Sequence, residues 1–139
     1  MKKRLVLDAW AILALLQKEE PAASRVKELL EEAGNGKAEL FVSVINLGEV
    51  MYRVGKVKGE KEARETLEQL RRLPLTIIPA SEEAVLAAAL LKMQYAISYA
   101  DAFAAATATA LGAILATGDP ELQHLAGKIH IEPLRRRKS

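Results

Sequence analysis

Apolar positions along this chain follow two alternating patterns. Short continuous runs read as strands: 4–7 (Arg4-Leu5-Val6-Leu7), 40–44 (Leu40-Phe41-Val42-Ser43-Val44), 75–78 (Leu75-Thr76-Ile77-Ile78), 113–116 (Ala113-Ile114-Leu115-Ala116) and 128–131. Longer stretches with helical spacing lie between them, over 9–17, 22–33, 45–54 and 58–73, and then from Ser81 to about Met93 and from Ser98 to Gly112. A short helix follows Pro120. Pro21, Gly34-Asn35-Gly36 and Pro79 punctuate the series, and Ser81 and Ser98 stand where helix caps belong. The strands are uniformly apolar rather than alternating, which is the pattern of strands covered on both faces. Strands alternating with helices predict a three-layer α/β/α fold around a short central parallel sheet, Rossmann-like in plan. With no repeat and no domain-scale linker, residues 1–139 read as a single domain.

This layout has a geometric consequence. When every crossover is right-handed, strand C-termini and helix N-termini share one edge of the sheet, and ligands bind there, where the strand order reverses. Asp8 directly follows the first strand. Asp119 follows the 113–116 strand, Asp101 lies in the first turn of the helix opened by Ser98, and Glu49 lies one to two turns into the helix after the second strand. All four acids are thus expected on one edge.

Composition sharpens that picture. Of 18 acids, 15 are glutamate and three are aspartate, so each aspartate needs a positional reason. A chain of 139 residues, half of it hydrophobic, has enough apolar surface for a real core. The run Ala84–Leu91 stops at Lys92, well short of the roughly 20 residues that cross a bilayer. No cleavable signal is expected, because the first apolar stretch breaks at Asp8 and Lys18. Cysteine is absent, which removes disulfides and thiolate ligands and fits a cytoplasmic protein. The net charge of +2 hides an asymmetry: without Arg135-Arg136-Arg137-Lys138 the balance is −2. The 135–139 segment therefore reads as a disordered basic tail, serving either a nucleic acid or solubility alone.

Four neighbouring carboxylates repel one another unless protons or cations intervene, by about 4 kcal/mol per pair at 4 Å and an effective dielectric of 20. Hard oxygen donors with no cysteine and no paired histidine favour Mg²⁺ or Mn²⁺. One or two such ions among carboxylates make a phosphodiester-cleaving device. Each acid also has a plain structural role open to it. Asp8 can cap the helix at Ala9, Asp101 can sit in a capping box with Ser98, and Asp119 can cap a helix with Pro120 at its first position. Glu49 can be a surface acid, although Leu47, Gly48, Val50 and Met51 around it argue against that.

Four segments, in order and spacing, resemble the PIN-domain nucleases, and the overall size is similar to the VapC toxins of VapBC toxin–antitoxin pairs. They are Leu5-Val6-Leu7-Asp8-Ala9, Ser43-Val44-Ile45-Asn46-Leu47-Gly48-Glu49-Val50, Tyr99-Ala100-Asp101-Ala102-Phe103-Ala104-Ala105-Ala106 and Leu115-Ala116-Thr117-Gly118-Asp119. The resemblance implies a Mg²⁺- or Mn²⁺-dependent endoribonuclease, usually a homodimer, held inactive by a small antitoxin protein. It assigns Asp8, Glu49, Asp101 and Asp119 as metal ligands and Thr117 as a supporting hydroxyl. Trp10 departs from the pattern, since many relatives carry small hydroxyl residues after the first acid. A non-catalytic module of the same fold, or an RNA-processing nuclease without an antitoxin, is the alternative.

Other chemistries fit less well. His124 and His130 are the only histidines, and their placement favours structural or surface roles over a two-histidine ribonuclease. Gly34-Asn35-Gly36-Lys37 lacks the upstream glycine of a phosphate loop, and Ala38 stands where its Mg²⁺-binding hydroxyl belongs. No GxGxxG follows the first strand. A phosphatase or receiver site at Asp8 would want an acid two residues on, where Trp10 stands. Apolar residues Leu47, Met51, Val54, Val57, Leu67 and Leu70 exceed what a small domain needs to bury, so they are expected to form a dimer surface.

Overall fold

The computed structural model describes residues 2–137. Five strands, β1 (Lys3–Leu7), β2 (Ala38–Ser43), β3 (Thr76–Ile78), β4 (Ile114–Thr117) and β5 (Ile131–Pro133), form one sheet in the order β3-β2-β1-β4-β5. Every pairing is parallel. Six α-helices surround it: α1 (Ala9–Leu16), α2 (Ala22–Gly34), α3 (Val44–Lys58), α4 (Glu60–Arg71), α5 (Glu82–Gln94) and α6 (Tyr99–Leu111). A 3₁₀ helix spans Pro120–Leu125.

The period of two in the strands separates the layers. Leu5, Leu7, Leu40, Val42 and Ala116 pack with α1, α2 and the inner faces of α3 and α4. Val6, Phe41 and Leu115 point the other way, onto the alanines of α6 and onto Ala88 of α5. Both faces are covered, so the fold is the three-layer α/β/α sandwich that uniform strands predict. Ala102, Ala104, Ala105, Ala106 and Ala108 are all buried, and their small side chains let α6 lie close beneath the central strands. The strand order runs outward in both directions from the β1–β4 pair. That pair is the switch point, where loops leaving its C-terminal ends diverge to opposite sides.

Three expectations need correction. The last strand lies at Ile131–Pro133 rather than 128–131. The amides of Lys128 and Ile129 are spent on the Leu125 carbonyl, 2.8 and 3.0 Å away, as the 3₁₀ helix closes. Pro133 is tolerated because β5 is an edge strand. Second, the 135–139 segment is not a free tail as far as Arg137. Ala22 donates to the Arg135 carbonyl at 2.9 Å, Arg137 donates to the Glu20 carbonyl at 2.8 Å, and Arg136 bridges Pro21 in antiparallel fashion. Lys138 and Ser139 lie outside the described residues.

Third, the apolar face of α3 and α4 is largely used inside the protomer. Leu47 and Leu70 belong to the core, with Val54 and Leu67 packed against it. Of the six residues expected to face a partner, Val57 alone is fully outside, at 83% exposure. The helix α3 also runs on through Gly55 to Lys58, past the expected end at Val54. Gly55 lies inside α3 opposite Ala63 of α4, where an added Cβ would only reach contact distance, 3.4 Å from the Ala63 Cβ, so this glycine does not end the helix. The break comes at Gly59, whose φ of +94° few other residues adopt. The uncovered apolar residues sit elsewhere, chiefly Leu86, Leu90 and Met93 on α5.

Candidate metal centre

Strand β1 ends at Leu7, and Asp8 caps α1: its Oδ1 accepts from the Ala11 amide at 2.9 Å. Its other oxygen accepts from the Thr117 hydroxyl at the end of β4. That hydroxyl oxygen in turn accepts from the Asp119 amide at 3.0 Å. Asp119 caps the 3₁₀ helix, with Oδ1 accepting from the Glu121 amide at 2.9 Å. Thr117 therefore links the two acids that stand on either side of the switch point.

Helix α6 delivers Asp101 from the opposite layer. Its cap is Ser98, whose hydroxyl accepts from the Asp101 amide at 3.1 Å. A capping box would use the Asp101 carboxylate on the Ser98 amide, but that amide donates to Oε2 of Glu121 at 3.2 Å. Glu121 has taken over the return half of the cap, which leaves the Asp101 carboxylate to face its neighbours. Oxygen atoms of Asp101, Asp119 and Glu121 lie within 4.8 Å of one another. Glu49 on α3 lines the same cleft and is held by Arg53 one turn later, Oε2 to Nη2 at 3.1 Å.

The cleft has a volume of about 390 Å³, with Glu49, Asp101 and Asp119 among its lining and Trp10, Arg53 and Arg136 around them. Asp8 lies behind this lining at 1% exposure. Burial pushes its carboxyl up from 3.8 to about 7, against the opposing effect of the Thr117 and Ala11 hydrogen bonds, while Asp119 and Glu49 add repulsion. Asp101, 7% exposed, is raised to about 8. Burial acts first, and hydrogen bonds to Asp119 and Glu121 then favour its protonated form. The same contact with Asp101 holds Glu121 below the usual carboxylate range. Burial and the neighbouring acids thus both favour the protonated forms of Asp8 and Asp101.

Asp101 and Asp119 thus meet, Asp8 joins them through Thr117, and Glu49 faces them across the cleft. Glu121 is an acid that sequence reasoning missed. Its one signal is its place in Asp119-Pro120-Glu121, two residues beyond a capping aspartate, and a glutamate in the first turn of a helix has nothing local to set it apart from a surface acid. Asn46 also belongs here. Its Nδ2 donates to the Ala100 carbonyl at 3.0 Å, tying α3 to the start of α6, and its buried Oδ1 has no partner among the described residues.

No curated protein matches the sequence. In fold, the chain is similar to a toxin–antitoxin complex from Klebsiella pneumoniae, at 20% identity and TM-score 0.71, covering 96% of this chain and 99% of that one. It is similar too to VapBC2 from Rickettsia felis bound to a promoter DNA fragment, at 19% identity and TM-score 0.73, over 95% and 99% of the two chains. A third likeness is to VapC20 of Mycobacterium tuberculosis, a sarcin–ricin loop cleaving toxin, at 15% identity and TM-score 0.69, over 90% and 95%. The acids at the switch point, the three-layer sheet and a match to the PIN domain over residues 5–128 lead to one conclusion: the chain belongs to the PIN-domain family.

Proposed function

We propose that this protein is a divalent-metal-dependent endoribonuclease of the VapC type, the toxin of a toxin–antitoxin pair. The observation that carries the reading is the meeting of Asp101, Asp119 and Glu121 within 4.8 Å at the switch point, backed by buried Asp8. The donor set is carboxylate oxygen throughout, which suits Mg²⁺ or Mn²⁺ better than softer metals. Asp8, Asp101 and Asp119 would hold the ion, directly or through water, with Glu49 as ligand or water orienter and Glu121 as a further carboxylate. A bound divalent cation supplies positive charge at the phosphate and a more acidic water.

The chain's own residues set the geometry. Thr117 fixes Asp8 and the Asp119 backbone through one hydroxyl, and the Glu49–Arg53 pair holds the fourth acid on its wall. Attack of water on phosphorus, with departure of the 3′ oxygen, leaves a 5′-phosphate and a 3′-hydroxyl without using the 2′-hydroxyl. End-to-end similarity in fold to toxin–antitoxin complexes supports a small antitoxin partner. A homodimer and a cytoplasmic location complete the reading. Among the described residues, no helix is long and apolar enough to cross a membrane.

The test is cleavage of single-stranded RNA by purified protein, titrated with Mg²⁺ or Mn²⁺ and stopped by EDTA. Asp119→Asn is expected to abolish cleavage while leaving the far-UV circular dichroism spectrum unchanged. Full activity in EDTA, or in that variant, would overturn the assignment.

A further inference from the structure

We infer that Arg136 is a substrate-positioning residue, which grips the phosphate backbone of the RNA strand at the rim of the acid cleft. The inference rests on the nuclease reading above and adds to it a residue outside the acid cluster.

A floor of carboxylates repels a polyanion, so a strand crossing it must be held by cations at its rim. Among the described residues, three cations line the cleft: Arg53, Lys56 and Arg136. Arg53 is occupied by Glu49 at 3.1 Å, and Lys56 lies over the Tyr52 ring, 5.8 Å from its centroid. Arg136 is held differently, by the backbone on both sides of it. Hydrogen bonds from Ala22 to the Arg135 carbonyl and from Arg137 to the Glu20 carbonyl pin the flanking residues.

The side chain is preorganised as well. Its guanidinium lies over the Trp10 ring, 5.4 Å from the centroid. The indole is itself lodged against Gly118, where an added Cβ would fall 2.3 Å from Trp10 Cη2. Gly118 is the residue between Thr117 and Asp119, so the platform under Arg136 is registered directly to the acid cluster. Only Nη1 of the guanidinium is engaged among the described residues, with the Glu19 carboxylate at 3.3 and 3.4 Å. Those contacts are long, and both side chains are partly open to water. Nε and Nη2 remain to donate to two phosphate oxygens in the two-pronged geometry that arginine offers and lysine does not.

The experiment measures cleavage kinetics with Mg²⁺ on a short fluorescein-labelled single-stranded RNA, over a salt series, for wild type, Arg136→Gln, Arg136→Lys and Arg135→Gln. Arg136→Gln is expected to raise KM about tenfold with kcat nearly unchanged, as suits the loss of one charged hydrogen-bonding partner. It should also reduce the salt slope of binding by about 0.7, the contribution of one single-strand phosphate contact. Arg136→Lys should fall in between, and Arg135→Gln, exposed and away from the cleft, should match wild type. A merely structural role for Arg136 would lower the melting temperature or kcat and leave KM and the salt slope alone; that result, or a wild-type KM in Arg136→Gln, overturns the inference while the nuclease stands. Failure of the wild type to bind or cleave RNA removes the nuclease reading and this inference with it.

Discussion

Asp8→Asn separates a buried catalytic carboxylate from a helix cap by the direction of its effect. Asparagine keeps an oxygen to accept from the Ala11 amide, so a pure capping role loses little. The charge is another matter. Folding raises the Asp8 carboxyl from 3.8 to about 7, chiefly through burial. A raised folded-state value means that the native protein binds the proton more tightly than the unfolded chain does. Stability from this group is therefore fully present below the unfolded value and is lost as pH rises through about 7. About three units at 1.36 kcal/mol each make about 4 kcal/mol in all, of which about 3 kcal/mol disappears between pH 5 and pH 8.

In EDTA, then, wild type should lose stability over that range and Asp8→Asn should lose about 3 kcal/mol less. The gap between their melting temperatures should shift by roughly 10 °C in favour of the variant at this chain length. Saturating Mg²⁺ should restore wild type, by about 2.7 kcal/mol at a hundred times its dissociation constant, and stabilise the variant far less. Differential scanning fluorimetry across pH, with and without metal, reads both effects. Melting temperatures that move in parallel with pH, together with an equal metal response, would refute the argument and leave Asp8 a helix cap.

Four further outcomes follow from the same geometry. Thr117→Val removes the hydroxyl shared by Asp8 and the Asp119 amide, and should weaken Mg²⁺ binding about 10- to 100-fold by calorimetry; unchanged affinity would mean the bridge is incidental. Because Asp101 and Asp8 are raised to about 8 and about 7, metal binding should release protons and tighten from pH 6 to pH 8, and a flat profile would count against their role. Gly118→Ala drives a methyl into the Trp10 indole and should cost about 1–3 kcal/mol in thermal unfolding, with strong non-additivity in the double variant Trp10→Ala/Gly118→Ala; additive effects would deny the contact. If the exposed Leu86, Leu90 and Met93 stripe on α5 seats a second copy, wild type should scatter light as a dimer at tens of micromolar and Leu90→Glu as a folded monomer; a monomeric wild type would remove the dimer from the reading.

The sheet and the three layers were legible because strand uniformity and helix spacing are local signals that tertiary packing here reinforces. Errors arose where a local signal was spent on something else. Lys128 and Ile129 look like strand residues, yet their amides close a helix. The apolar face of α3 and α4 looked surplus because the sequence alone does not show that the two helices pack on each other and on the same core. Arg135 to Arg137 looked like a solvated tail because nothing local reveals that Glu20 and Ala22 offer backbone partners more than a hundred residues away.

The acids carry the deeper lesson, since the structural and functional roles weighed for them do not compete. A parallel sheet sends each strand into a helix start, and a helix start needs a side-chain oxygen. Asp8 and Asp119 each spend Oδ1 on a cap amide. In Asp8 the second oxygen meets Thr117, the hydroxyl that also anchors Asp119. Capping fixes the position of each carboxylate at no added conformational cost, and the switch point brings the caps of two different helices together. Asp101 shows the limit of that economy: one carboxylate cannot both close a capping box and face the cluster, and Glu121 supplies the return contact in its place. A local rule identifies the Ser98 cap, but a contact across 23 residues decides which acid completes it. Replacing Glu121 by Gln should accordingly leave the cap intact, since an amide oxygen still accepts from Ser98, while removing one carboxylate from the group around Asp101. Metal affinity should then fall with little change in melting temperature in EDTA. The opposite result, a lower melting temperature with unchanged metal affinity by calorimetry, would confine Glu121 to the cap.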